Sequence, residues 1–180
     1  MKKFTALFSV LLLTGCIMPP KGLERDDFTL QHLDKIQAED YACQCKQARL
    51  GGKVLSAQAL PGKMKLEILS LPLVSLSAKP LISAQTNGRF IVYLEGFIDP
   101  ESLKDQYITV KGKLIKQQKG KIDQVDYLYP VIEANHYKKW QLIEEYYYDP
   151  DEMADWRESL RRGWGYPFWR PEPRLRYVLY

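Results

Sequence analysis

Two thiols separated by one residue, Cys43 and Cys45, and an imidazole upstream of them, His32, are the residues in the body of this chain best equipped for chemistry. A tetrahedral zinc or copper site takes three or four nitrogen or sulfur ligands. Cys43, Cys45 and His32 could supply three. The same pair could instead close a disulfide, either within the chain as a small and usually strained ring or between two chains. Free, partly buried thiols are the third reading, and all three stay open. A cysteine nucleophile would need a base held at hydrogen-bond distance, and no such signature accompanies the pair. His136 is the other histidine. Asp123 and Asp126 read as turn and surface charges. No serine elbow, paired-carboxylate motif or nucleotide loop appears. The expectation is a protein that is not an enzyme, with no catalytic residue, no cofactor and no committed metal site.

A third cysteine has different surroundings. Lys2 and Lys3 precede an apolar run from Phe4 to Leu13, and Leu13-Thr14-Gly15-Cys16 follows. A charged start, an apolar stretch and small residues before a cut are the marks of a secretory signal peptide. The run falls short of the roughly 20 apolar residues that span a bilayer. The Leu-Thr-Gly-Cys ending resembles the lipobox of bacterial lipoproteins. That resemblance implies diacylglycerol on the Cys16 thiol, removal of residues 1–15 and acylation of the new N-terminus. Two acyl chains anchor stably where one holds only reversibly. Asp after the cysteine resembles an inner-membrane retention signal in enterobacterial lipoproteins. Here the residue is Ile17, which implies the outer membrane. Residues 16–28 read as an extended tether, with Pro19 and Pro20 opposing any packing.

The charge does not point to nucleic acid, and an export route argues against it. The chain has 26 basic and 22 acidic side chains. Losing Lys2 and Lys3 leaves 24 − 22 = +2, too little to argue for a nucleic-acid partner. The distribution is uneven, however. Glu144 to Asp155 holds six acids and no base, whereas Arg157 to Arg176 holds six arginines against two acids. All four tryptophans, Trp140, Trp156, Trp164 and Trp169, fall in this last quarter.

The elements follow from periodicity. Thr29 as cap, a Phe28–Leu33 staple and the spacing of Leu30, Leu33 and Ile36 predict a short helix from Leu30 to about Ala38. Met64, Leu66 and Ile68 alternate with Lys63, Lys65 and Glu67, a half-buried strand. Ile108, Val110 and Leu114 alternate with Thr109, Lys111 and Lys113 in the same way. Val54–Leu60, Arg89–Leu94 and Val125–Ala134 complete about five strands, with turns at Pro61-Gly62 and Gly120. Gly51-Gly52 and Gly112 suit bulges or tight corners, and Asp99-Pro100 a cap and turn. Strands at short intervals without helical crossovers predict a mainly β fold over residues 29–145: a small antiparallel OB-like β-barrel, with a two-sheet sandwich as alternative. Residues 146–180 form a separate end. Asp149, Pro150 and Glu152 make a capping box, and Met153, Trp156 and Leu160 an apolar stripe, so an amphipathic helix runs from Pro150 to Arg162 and stops at Gly163. Its tryptophans either dock on the barrel or, with Trp164, Trp169, Arg161 and Arg162, contact membrane or a partner.

Several segments together resemble one family. Ala48-Arg49-Leu50-Gly51-Gly52-Lys53-Val54, Leu66-Glu67-Ile68 with Leu71-Pro72-Leu73, and Gly88-Arg89-Phe90 are three of them. Gly96-Phe97-Ile98-Asp99-Pro100, Tyr107-Ile108-Thr109-Val110-Lys111-Gly112 and Trp140 are the others. The run is similar to the Slp family of starvation-inducible outer-membrane lipoproteins, from Cys16 to about Glu145. The resemblance implies an outer-membrane lipoprotein with a non-catalytic envelope or stress-response role. Cys43, Cys45 and the stretch after Glu145 depart from the family pattern. Beyond the membrane itself, a glycan, lipid or envelope protein is the partner to expect, and Cys43 and Cys45 leave a periplasmic metal or redox role as a further alternative.

Overall fold

The computed structural model describes residues 18–25, 29–43, 45–162 and 169–180. The expectations placed on Cys16, Ile17, Phe28, Gly163 and Trp164 lie outside the described residues.

Five strands close into a barrel: β1 (Gln47–Leu60), β2 (Lys63–Leu71), β3 (Arg89–Glu95), β4 (Tyr107–Ile122) and β5 (Val125–Trp140). Their order is β1-β2-β3-β5-β4, with β4 returning to β1. Four junctions are antiparallel, but β3 and β5 run parallel where Ile91–Leu94 meets Val131–Ala134. This corrects the expectation of a wholly antiparallel barrel. An odd number of strands cannot alternate direction all the way round a closed ring, so one pair must be parallel.

Alternation places the core. Met64, Leu66 and Ile68 on β2 are fully buried, while Lys65 and Glu67 between them are half-buried on the outside. Val110 faces Leu50 across the β1–β4 pair, and both line the interior. Two glycines allow the strands to bend sharply. A Cβ at Gly52 would stand 1.8 Å from the Leu69 carbonyl oxygen, and one at Gly112 would stand 2.1 Å from that of Glu133. The register slips beside Gly112, after Lys111. Between β3 and β4 lies a 3-10 turn, Pro100–Ser102, capped by the Asp99 side chain, which accepts from the Glu101 N–H. The turn delivers Leu103 into the core.

The expected N-terminal helix is not formed. Leu33–Lys35 and Ala38–Tyr41 are separate 3-10 turns, with Ile36 and Gln37 extended between them. Leu30 cannot join a helix, because its N–H donates to Gln47 and its carbonyl accepts from Arg49 of β1. Leu30, Leu33, Ile36 and Tyr41 each pack on the core from irregular backbone. Strands also run longer than periodicity predicted. β1 begins at Gln47 and β5 continues past Ala134 to Trp140.

After the barrel, β6 (Leu142–Tyr147) pairs antiparallel with β7 (Arg174–Leu179), and α1 (Pro150–Arg161) lies between them in sequence. Asp149 caps α1 by accepting from the Asp151 N–H. Glu152 does not complete the capping box; it binds the Arg174 guanidinium instead, as does Asp149. No residue of α1 is buried, so the helix leans on β7 through Arg174, and its tryptophan does not fill barrel core as one alternative had it. Among the described residues, no helix is long and apolar enough to cross a membrane.

Candidate functional site

Arg49 points outward from β1, yet its side chain is fully buried. Nη1 donates to the Leu23 carbonyl at 3.0 Å, and Nη2 donates to Gln31 Oε1 at 3.0 Å and to the Ser75 carbonyl at 3.1 Å. A guanidinium is suited to this because its planar fork serves several acceptors at once. Three segments therefore converge on one side chain. Leu23 itself is 1% exposed. Around it, Lys111 Nζ donates to the Glu24 carbonyl at 3.0 Å, and Gly22 sits against the His136 ring. The Gly22 N–H donates to Glu24 at 3.0 Å and holds that carboxyl below its ordinary range. Residues 18–25 are thus fastened to the outer face of β1, β4 and β5. The unpacked tether expected over 16–28 is corrected for this part, because Leu23 has apolar surface to bury and Arg49 has acceptors to find.

One row further along the same face, Thr109 Oγ1 donates to the Ala78 carbonyl at 2.6 Å and accepts from Trp140 Nε1 at 2.9 Å. Both Thr109 and Ala78 are fully buried. Lys79 lies over the Trp140 ring at 5.6 Å and the Tyr180 ring at 5.0 Å, and its ammonium donates to the Leu179 carbonyl at 2.7 Å. The β2–β3 loop thereby ties the C-terminal hairpin to the barrel. Trp140 is the hub of that tie.

On the other side, the far half of the β4–β5 hairpin meets the outer face of β2 and β3. Arg89 pairs with Glu67 at 2.9 Å, which holds the guanidinium pKa above its ordinary value. The Tyr129 hydroxyl lies 3.2 Å from Glu67 and 3.1 Å from the Lys121 carbonyl. Desolvation, reinforced by the Glu67 charge, pushes its pKa up. The Tyr127 hydroxyl accepts from the Arg89 N–H at 3.0 Å and faces the Arg89 carbonyl at 3.3 Å, standing in for a missing strand partner. What stays open is a groove of about 210 Å³ lined mainly by polar groups, among them Ser56, Gln58, Lys65 and Gln118.

The family described as the Outer membrane lipoprotein Slp family matches residues 13–175. The chain belongs to the Slp family. It is 46% identical over 182 residues to an uncharacterised protein of Haemophilus influenzae, covering 98% of each chain. It is 31% identical to the uncharacterised lipoprotein YeaY of Escherichia coli, over 88% of this chain and 81% of that one. With the outer membrane protein Slp of Escherichia coli it shares 33% identity over 69% of this chain and 66% of the relative. A crystal structure of Schizosaccharomyces pombe Pot1pC bound to single-stranded DNA overlaps 61% of this chain and 85% of its own at a TM-score of 0.28 and 11% identity, which carries no argument.

Cys43 and Cys45 are joined to each other in a disulfide, with both residues exposed and the Cys45 N–H donating to Cys43 Sγ at 3.3 Å. Among the described residues, no group of three His, Cys, Asp or Glu side chains is placed to hold a metal. Trp156 lines an apolar groove of about 500 Å³ with Tyr148, Met153, Arg170 and Pro171. Trp169 is exposed, as is Arg161, and Arg162 is engaged in an ion pair with Glu158. Sequence reasoning missed Arg49, Thr109 and Trp140 as one covered polar seam. Three family motifs carried them, but nothing in periodicity reveals that an outward arginine is buried.

Proposed function

We propose that this protein is a lipoprotein held at the outer membrane by acyl chains on Cys16, with a non-catalytic role in the envelope under stress. The observation that carries the reading is the stitching of residues 22–24 to the barrel through Arg49, Lys111 and His136. Residues 22–24 lie six to eight positions after Cys16 and hold the barrel close to whatever Cys16 is attached to. The family match beginning at Leu13 takes in Leu13-Thr14-Gly15-Cys16 and supports the same reading. Its relatives bear the names outer membrane protein and lipoprotein. The ring order β1-β2-β3-β5-β4 with one parallel junction supports an OB-like barrel.

OB barrels bind oligosaccharides on the β2–β3 face, but here that face is engaged by the chain's own Tyr127, Tyr129 and Arg89.

The test is the fate of Cys16. Metabolically labelled palmitate should enter the wild-type protein and not the Cys16→Ser variant, and globomycin, which blocks the lipoprotein signal peptidase, should leave a larger precursor. Cys16→Ser protein that still fractionates with the outer membrane after a high-salt wash would defeat the proposal.

A further inference from the structure

The β6–β7 sheet has two unlike faces. One collects the charges: Arg174 and Arg176 pair there with Asp149, Glu152 and Glu145, and Arg176 stacks on Tyr147 at 4.9 Å. The register places Leu142, Tyr146, Leu175 and Tyr177 on the opposite face. They are 43%, 70%, 44% and 50% exposed. Glu144 is the acid on this face, and its charge raises the pKa of Tyr177 opposite it. A two-stranded sheet alone is marginally stable in water. This one touches the barrel at its base, where Gln141 and Tyr180 exchange backbone hydrogen bonds and Lys79 grips Leu179. Two leucines and two tyrosines side by side on such an element are surface waiting for a cover.

Chain length identifies the cover. The Leu23 N–H donates to the Pro20 carbonyl and Leu23 is buried, so the docked segment begins close to Pro20. Pro20 is four steps along the chain from Cys16, a reach of at most about 14 Å when extended. Gly22 rests on His136, and four residues along β5 from His136 stands Trp140, where the hairpin begins, a further span of about 13 Å. An acylated Cys16 therefore brings the bilayer surface within reach of the hairpin and keeps it there. Tyrosine suits that depth, with its ring among acyl-chain ends and its hydroxyl at the headgroups.

We infer that the Leu142–Tyr146–Leu175–Tyr177 face of the β6–β7 sheet rests on the phospholipid surface that holds the Cys16 acyl chains, making a second, non-covalent membrane contact. The inference rests on the proposed lipidation of Cys16. It moves the membrane contact from Trp156, Arg161 and Arg162 of the helix to the sheet. The contact orients the barrel, directing the Arg174–Arg176 face away from lipid.

The test is hydroxyl-radical footprinting with mass spectrometry on the lipidated protein in vesicles of phosphatidylethanolamine and phosphatidylglycerol. The reference is the mature chain with Cys16→Ala, exported behind an ordinary signal peptide and labelled without vesicles. Flotation with vesicles is scored first. The expected result is flotation with loss of most labelling at Tyr146 and Tyr177, while Phe97 and Tyr137 on the barrel label as in the reference. Flotation with Tyr146 and Tyr177 labelled as in the reference overturns the docked face and leaves the anchor standing. Absence of flotation overturns both. Tyr146 and Tyr177 already protected in the reference would assign the face to a second copy of the chain and overturn the membrane contact.

Discussion

Arg49 organises the side of the barrel on which the N-terminal segment lies. Its removal leaves the buried Leu23 carbonyl without its donor, the costly kind of loss, and also frees the part-buried Ser75 carbonyl. Arg49→Met should destabilise the fold by about 1–3 kcal/mol in urea unfolding. Arg49→Lys should recover only part, because an ammonium on a flexible stem cannot reproduce the fork. Trypsin should also cut after Lys21 and Arg25 faster in Arg49→Met; unchanged cutting would mean the segment does not depend on Arg49. Tyr129 gives a pH signature at the same scale. Its folded pKa is raised, so the neutral phenol is favoured in the folded state. The stability this contributes is whole below the unfolded value near 10 and is lost as pH rises through the folded value. Urea midpoints should therefore fall steeply from about pH 10 upward. Tyr129→Phe, which cannot ionise, should fall less steeply, and parallel curves would show that Tyr129 does not sense Glu67 and burial as described.

At the scale of elements, β2 was legible because only one of its faces meets the core. Ile68→Asp should cost several kcal/mol, since it buries an unpaired carboxylate in the barrel. Lys65→Asp, half-exposed on the outer face, should change thermal stability little. Equal melting temperatures would mean the strand register is wrong. Gly52→Ala should cost about 3 kcal/mol, because its methyl would press on the backbone of Leu69 rather than on a yielding side chain. A melting temperature at the wild-type value would show that the strands separate there without penalty. The start of β1 was hidden from periodicity by its cover. Ala48 and Leu50 face the core, but Arg49 between them is buried too, and a polar residue buried outward looks solvated in a sequence. The N-terminal helix failed for a related reason. Leu30, Leu33 and Ile36 have helical spacing, yet the backbone of Leu30 is engaged by β1.

At the scale of the molecule, Lys79 joins barrel and hairpin across about a hundred residues of sequence, from its own position to Leu179. Lys79→Met keeps the apolar stem and removes the donor and the cation over Trp140 and Tyr180. Amide exchange in β6 and β7 should accelerate while β2 and β3 keep their protection. Acceleration everywhere would mean that barrel and hairpin unfold as one unit. The Cys43–Cys45 bond acts locally by comparison. The stability a disulfide confers grows with the loop it closes, about 3 kcal/mol for 15 residues, and this one encloses a single residue. Reduction should leave the melting temperature nearly unchanged.

Residue type and short spacing determined the amphipathic helix after Asp149 and the alternating strands of the barrel, because each depends on neighbours within a few positions. The parallel β3–β5 junction was implicit in a count of five, although periodicity does not report strand direction. Only the tertiary structure decided that β6 and β7 pair, since 26 residues lie between Tyr147 and Arg174 and neither strand has a core of its own to mark it. It also decided that Arg49, Thr109 and Trp140 form one covered seam. Their burial depends on which segments lie over them, and those segments, at Leu23 and Ala78, come from distant parts of the chain.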